Sequence, residues 1–203
     1  MRREDICKIF ANIPTVKTER LILRKVCGDD VEDMYEYSCN PRVTEYLTWS
    51  PHPDKICTLE YISYLQSRYR TGDFYDWAVV VKADGKMIGT CGFTRFDYAN
   101  NSAEIGYVLN PDYHGHGIAT EAVREVLKFG FERLNLNRIE GKYMVENGAS
   151  RRVMEKCGMV FEGVRREGML IKGRYRNVGV CSILKKEYEE KKYSLQERQC
   201  ILQ

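Results

Sequence analysis

Residues 110–122, NPDYHGHGIATEA, constrain this chain more than any other stretch. AEIGYVL (103–109) reads as a strand that runs into them. From Gly117 to Leu134, the residues Ile118, Ala122, Val123, Val126, Leu127, Phe131 and Leu134 recur at helical spacing, with Arg124, Glu125, Lys128 and Glu132 on the wet face. A strand that passes into a helix through a loop with two glycines gathers N–H groups that no helical carbonyl can satisfy. Together with the positive helix end, they attract an anion such as a phosphate. Gly115 and Gly117 let backbone approach a ligand without Cβ interference, and Thr120 adds a first-turn hydroxyl. The Lys-Ser/Thr pair of a P-loop and the G-x-G-x-x-G spacing are both absent, so this is a phosphate site of another kind. The competing reading is a plain turn whose glycines serve geometry alone.

His114 and His116 raise a metal centre as an alternative. Zinc takes three or four His, Cys or carboxylate ligands, and His52 is the only other histidine in the chain. No metal is expected.

Around this motif the chain alternates short strands and helices. TERLILRKV (18–26) is β-like, with Leu21 and Leu23 on one face and Ile22 and Arg24 on the other. Asp29 or Asp30 caps a helix burying Val31, Met34, Tyr35 and Cys39. Asn40-Pro41 starts a second short helix. The loop TWSPHPD (48–54) leads into a long helix through about Tyr69, ended near Gly72. DWAVVVK and KMIGTCGFTRF flank Ala83-Asp84-Gly85, a hairpin turn. Further strands fall at 137–145, 159–167 and 176–184, with a short helix between the first two that Gly158 stops. The order predicts one α+β domain over 15–188, a lead at 1–14 and a charged tail at 189–203.

The 203 residues are 43% hydrophobic and 30% charged, with a net charge of +3. That is ordinary for a soluble domain and gives no argument for a nucleic-acid or membrane partner. The eight cysteines are scattered without a C-x-x-C pair, which suits a reduced, cytoplasmic protein. Cys200-Ile201-Leu202-Gln203 matches a prenylation pattern in form, though nothing upstream supports it.

HGHGIA (114–119) resembles the R/Q-x-x-G-x-G/A signature of the GNAT acetyltransferase superfamily, with His114 in the first position. TERLILR, AEIGYVLNPDYHGHGIATEA, NGASRRVMEKCGMVFEG and IKGRYRNVGVCSIL are similar in order to its RimJ/RimL-like branch, which acetylates ribosomal-protein N-termini. The resemblance implies a mixed, mostly antiparallel sheet of about seven strands flanked by helices and splayed between the fourth and fifth. It implies acetyl-CoA as donor and an amine as acceptor: the N-terminal α-amine of a protein, with a small amine or a non-catalytic CoA-binding module as alternatives. It allows a homodimer. By the same resemblance, backbone amides from Gly115 through His116, Gly117, Ile118 and Ala119 to Thr120 would hold the CoA pyrophosphate. Edge groups of Val108 and Leu109 would pair with the pantetheine arm.

Two side chains are candidates for the chemistry. Ser150 shares a helical stripe with Val153, Met154 and Cys157, so its hydroxyl points where apolar groups point. The family pattern N-x-x-S falls on Asn147 and Ser150, giving Asn147 to the pantetheine and Ser150 to the sulfur. Against this, Asn147 is a plain helix cap and Ser150 a first-turn residue. Glu104 is the candidate base, or else a surface carboxylate paired with Lys or Arg; Glu167 is a second candidate. Leu109 N–H would polarise the carbonyl. Trp49, His52, Phe93, Phe96 and the 168–173 loop would wall the acceptor site.

Overall fold

The computed structural model describes residues 2–192; the prenylation pattern and most of the charged tail lie outside them. An eight-stranded sheet forms in the order β1-β2-β3-β4-β5-β6-β8-β7. Its strands are β1 Val16–Lys17, β2 Leu21–Arg24, β3 Tyr75–Val81, β4 Met87–Asp97, β5 Ser102–Leu109, β6 Arg138–Met144, β7 Val160–Ile171 and β8 Arg174–Leu184. The helices are α1 Arg3–Ala11, α2 Val31–Ser38, α3 Pro41–Thr44, α4 Lys55–Thr71, α5 Ile118–Lys128 and α6 Gly148–Lys156. All neighbours are antiparallel except β5 and β6, which run parallel because α5 crosses between them. Their register covers only Ser102↔Arg138 to Ile105↔Gly141, so from Gly106 onward the two strands part. The sheet therefore opens between its fifth and sixth strands. The expected opening lies one strand earlier in number, because residues 16–24 fold as a two-stranded turn.

Local chemistry explains most of these elements. In β2, Leu21 and Leu23 are buried while Ile22 and Arg24 are half-buried. The Asp54 carboxylate caps α4 by accepting from Cys57 N–H at 2.8 Å, and Gly72 ends the helix in the left-handed region at φ 69°. Asp30 stands at the start of α2 but does not cap it. Its carboxylate instead accepts from Arg24 at 2.6 and 2.8 Å and from Cys27 N–H at 2.8 Å. The buried residues of α2 are Met34, Tyr37 and Ser38. The predicted Tyr35 and Cys39 are only partly buried, because α2 docks on a face one step round from the one its apolar residues suggest.

The predicted lead carries a helix. In α1, Ile6 and Phe10 are fully buried. The Phe10 ring meets Tyr75, Trp77, Phe93, Phe96 and Phe129 at centroid distances of 5.0 to 6.3 Å. Burying two large side chains stabilises this contact by several kcal/mol, at ~1.5–3 kcal/mol each. The helix after the glycine loop is α-helical only to Lys128. Phe129–Arg133 then form a π turn, with Leu134 N–H donating to Phe129 O at 3.1 Å.

Candidate active site

The loop between β5 and α5 turns twice through left-handed backbone, at Gly115 (φ 82°) and Gly117 (φ 76°). A side chain at either position would be strained. The first α5 backbone bond runs from Glu121 N–H to Gly117 O at 3.0 Å. The amides of Ile118, Ala119 and Thr120 precede it and have no helical acceptor. The loop is braced from outside. Arg20 donates to His116 O at 2.9 Å and to the Glu121 carboxylate at 2.7 Å, and Thr18 Oγ1 donates to Glu121 at 2.5 Å. Burial pushes the Glu121 carboxyl upward, but the hydrogen bonds from Thr18 and Arg20 outweigh it and hold it below the usual range. His114 is exposed and borders the cleft, and its Nε2 donates to Leu109 O at 3.0 Å. The His116 ring lies outside the cleft, which Gly115 and Gly117 line. Among the described residues, no three His, Cys, Asp or Glu side chains stand close enough to hold a metal ion.

The opening of the sheet exposes one edge of β5. Asn110 N–H donates to Ile88 O at 2.7 Å, toward β4, so by alternation the N–H and C=O of Leu109 and Tyr107 point into the gap. Val108 O faces β4, where a Cβ on Gly89 would sit 2.1 Å from it. The edge groups at the gap are therefore those of Leu109 and Tyr107, not Val108 as expected, and Leu109 O is already taken by His114. A cavity of about 880 Å³ runs from the glycine loop through this gap to the Trp49 loop.

Ser150 reaches the gap from one side. Its Oγ lies 2.9 Å from the Tyr107 hydroxyl, which also stands 3.0 Å from Ser150 O. Burial raises the Tyr107 phenol well above its ordinary range, so it stays protonated. Asn147 Oδ1 accepts from Ser150 N–H at 3.0 Å, the capping bond of α6. Tyr107 was missed in the sequence, though its polar tip follows Ile105 and precedes Leu109 on the apolar side of the strand.

The opposite face of β5 carries Glu104. Its carboxylate accepts from Lys142 of β6, which also pairs with Glu140 at 3.3 Å. Trp49 and His52 line the cleft, their rings 5.5 Å apart. His52 Nδ1 meets Thr58 Oγ1 at 2.8 Å, and burial lowers the imidazole pKa, so the ring is neutral at pH 7. Met169 and Ile171 complete the far wall from the β7–β8 hairpin.

Phe93 does not line the cleft. It is 2% exposed and packs against Phe10 and Trp77, because β4 turns Cys91 and Phe93 to the core and Gly92 and Thr94 to the cleft. A bulge after Phe93 resets the alternation, and Phe96 stays beside it at 5.2 Å. Glu167 is exposed on a bulge of β7 at φ 50°, away from the cleft.

Among the described residues, no helix is long and apolar enough to cross a membrane. Residues 20–160 match the model of an acetyltransferase (GNAT) domain. An uncharacterised N-acetyltransferase, p20, of Bacillus licheniformis is 37% identical over 86% of this chain and 98% of its own length. A spermidine N(1)-acetyltransferase of Vibrio cholerae is 27% identical over 83% of this chain and 95% of its own. The crystal structure of a GNAT-family acetyltransferase from Bacillus anthracis, 28% identical, superposes with a TM-score of 0.76 over 85% of this chain and 99% of that one. With a sheet that opens beside a glycine loop and a family model that spans both, the chain belongs to the GNAT acetyltransferases and is an acyltransferase.

Proposed function

We propose that the protein transfers an acetyl group from acetyl-CoA to a primary amine by direct attack in a ternary complex, and that the acceptor is the α-amine of a peptide or protein. The observation that carries the transfer reading is the gap itself. Its backbone edge, the three spare amides of α5 and the Ser150 hydroxyl all border one cavity. The residues fit acetyl-CoA as a substrate. The amides of Ile118, Ala119 and Thr120, with the left-handed glycines before them, suit a pyrophosphate, and Tyr107 and Leu109 offer an unpaired strand edge to an amide-bearing arm.

Leu109 N–H then stands where an oxyanion donor is needed. The Ser150 hydroxyl, held by Tyr107, is the donor for the departing thiolate. Asn147 serves the site by holding α6, since its carbonyl is spent on the cap. Glu104 is a poor base here, because its carboxylate is already engaged by the ammonium of Lys142.

The α-amine reading rests on the RimJ/RimL-like motifs around 103–122 and 147–163. A small polyamine is the second reading, favoured by the likeness to a spermidine acetyltransferase. Thiol release from acetyl-CoA, measured over N-terminal peptides, lysine peptides, spermidine and an aminoglycoside, separates them. Mass spectrometry should place acetyl groups on peptide N-termini in preference to lysines. A clear preference for spermidine would replace the first reading with the second.

A further inference from the structure

Beyond the gap, the cleft continues as a trough across the sheet. Asp76 of β3 pairs with Gly92 of β4, and Gly92 with Gly106 of β5, so all three lie in one row on one face. Gly92 leaves the sheet without a side chain beneath the carboxylate, and at Gly106 the Thr94 methyl takes the space, 2.5 Å from where a Cβ would stand. The carboxylate leans over Gly92: a Cβ there would lie 2.4 Å from Asp76 Oδ1 and 2.2 Å from Tyr75 O. With strands ~4.8 Å apart, β5 lies about two spacings from β3, and the carboxylate covers part of that distance by leaning over Gly92 of β4.

Asp76 Oδ1 is sealed from solvent and accepts no hydrogen bond from any described residue. A buried, unsatisfied carboxylate is costly and calls for a function. Nothing on the elements around it neutralises it. Tyr37 of α2 and Tyr61 and Tyr69 of α4 stand near it, with Cys91 of β4 on the other face of the sheet, all held in their neutral forms by burial. Glu104 and Lys142 lie across the trough and pair with each other. The wall leading to it is aromatic: His52 stands 5.5 Å from Trp49 and 5.8 Å from Tyr61. With His52 neutral, this wall attracts a cation and does not repel one.

We propose that Asp76 receives the acceptor: its carboxylate binds the incoming primary ammonium in the trough and takes one proton from it before attack. The inference rests on the acetyl-transfer reading and supplies the base that Glu104 does not. An ammonium N–H bond breaks and an O–H bond forms on Asp76. The freed lone pair forms the bond to the acetyl carbon, and the C–S bond breaks as the adduct collapses. A second amine proton ends on the thiolate, and Asp76 returns its own to solvent. Burial pushes the Asp76 carboxyl up to about 7. That is close to an α-amine at ~7.7–8.0, so the transfer is nearly balanced.

The test uses the full chain, as wild type and as Asp76→Asn, with n-butylammonium as the amine probe and n-butanol as its uncharged counterpart. Calorimetry with acetyl-CoA comes first: both proteins should bind it alike, which also shows that the variant is folded. Failure of the wild type to bind acetyl-CoA would sink the transfer reading and this inference with it. In the presence of CoA, n-butylammonium should then bind the wild type saturably and the variant at least tenfold more weakly, with n-butanol indifferent to the change. In protein labelled at aspartate carboxyls, the resonance lost in Asp76→Asn should titrate near neutrality and shift to lower pH when the amine binds. Acetyl-CoA binding with equal amine affinity in both proteins, or an Asp76 midpoint that the amine leaves in place, overturns the role of Asp76 alone.

Discussion

The two faces of β5 solve different problems with different materials. On the side of α5 and α6, the groups that meet the gap are mostly backbone: spare amides at 118–120, the strand edge at 107 and 109, and one hydroxyl pair. On the other side they are side chains: Asp76 over Gly92, Thr94 over Gly106, the Glu104–Lys142 pair and the Trp49–His52–Tyr61 wall. Backbone recognition suits a partner that never changes, because no point substitution except to proline removes an amide N–H. Side-chain recognition suits the partner by which relatives differ. On the proposed function, donor and acceptor chemistry are divided by the sheet and meet only where it opens.

That division can be broken most sharply at the hydroxyl pair. Ser150→Ala should lower kcat by about 10- to 100-fold, at or below the ~10²–10³ that removing one oxyanion-hole donor costs, while acetyl-CoA affinity stays near wild type. Tyr107→Phe should fall short of that loss, since it takes away a support and leaves the donor. Glu104→Gln should also cost less than Ser150→Ala. Steady-state kinetics with the acceptor found in the panel decides the order, and an unimpaired Ser150→Ala enzyme would leave Ser150 a helix-start residue.

Next in size is the loop. Gly117→Val forces a left-handed backbone on a β-branched residue, a strain of ~1–2 kcal/mol or more. This should weaken CoA binding by roughly tenfold with the melting curve still cooperative. Calorimetry showing unchanged CoA affinity in the folded variant would remove the loop from the donor site.

A thermal test sharpens the other face. The folded Asp76 carboxyl titrates at about 7, against ~3.9 in the unfolded chain. Between these values the native protein holds a proton that the unfolded chain has released, so stability falls as pH rises through that window and levels off above about 7. Asp76→Asn removes this slope. The variant should match the wild type near pH 4 and melt higher at pH 8: about 3 pKa units are ~4 kcal/mol, or roughly 8–16 °C at 2–4 °C per kcal/mol for a chain of this size. Parallel melting profiles from pH 4 to 8 would show that the carboxyl is not strained by burial.

The donor face was largely legible in the sequence because glycine announces unusual backbone. Gly115, Gly117 and the run of Ile118, Ala122, Val123 and Val126 were sufficient to place the loop and α5. The acceptor face was not. Asp76, Gly92 and Gly106 lie far apart along the chain, and only the β3–β4–β5 register puts them in one row. Phe93 went to the wrong side although GTCGF alternates small or polar residues with Cys91 and Phe93; the aromatic was taken for a wall when the parity marked it as core. Tyr107 and Ser150 are separated by 43 positions, and their contact depends on how α6 returns to the gap. In α1, Ile6, Ile9 and Phe10 stand at i, i+3 and i+4, but nine residues are shorter than the window a periodic signal needs, and its stability comes from the ring cluster it enters.

That cluster and the cleft give the molecule two built-in optical reporters. Of its two tryptophans, Trp77 is sealed among Phe10 and Phe129 with its indole N–H donating to Pro14 O at 2.8 Å. Trp49 is half-buried against the His52 ring on the cleft wall. The first should emit at short wavelength and redden when α1 lifts away. The second should emit further to the red and change in intensity as the acceptor side fills. With either indole replaced by phenylalanine, a single cuvette can follow N-terminal docking or cleft occupancy without an added dye.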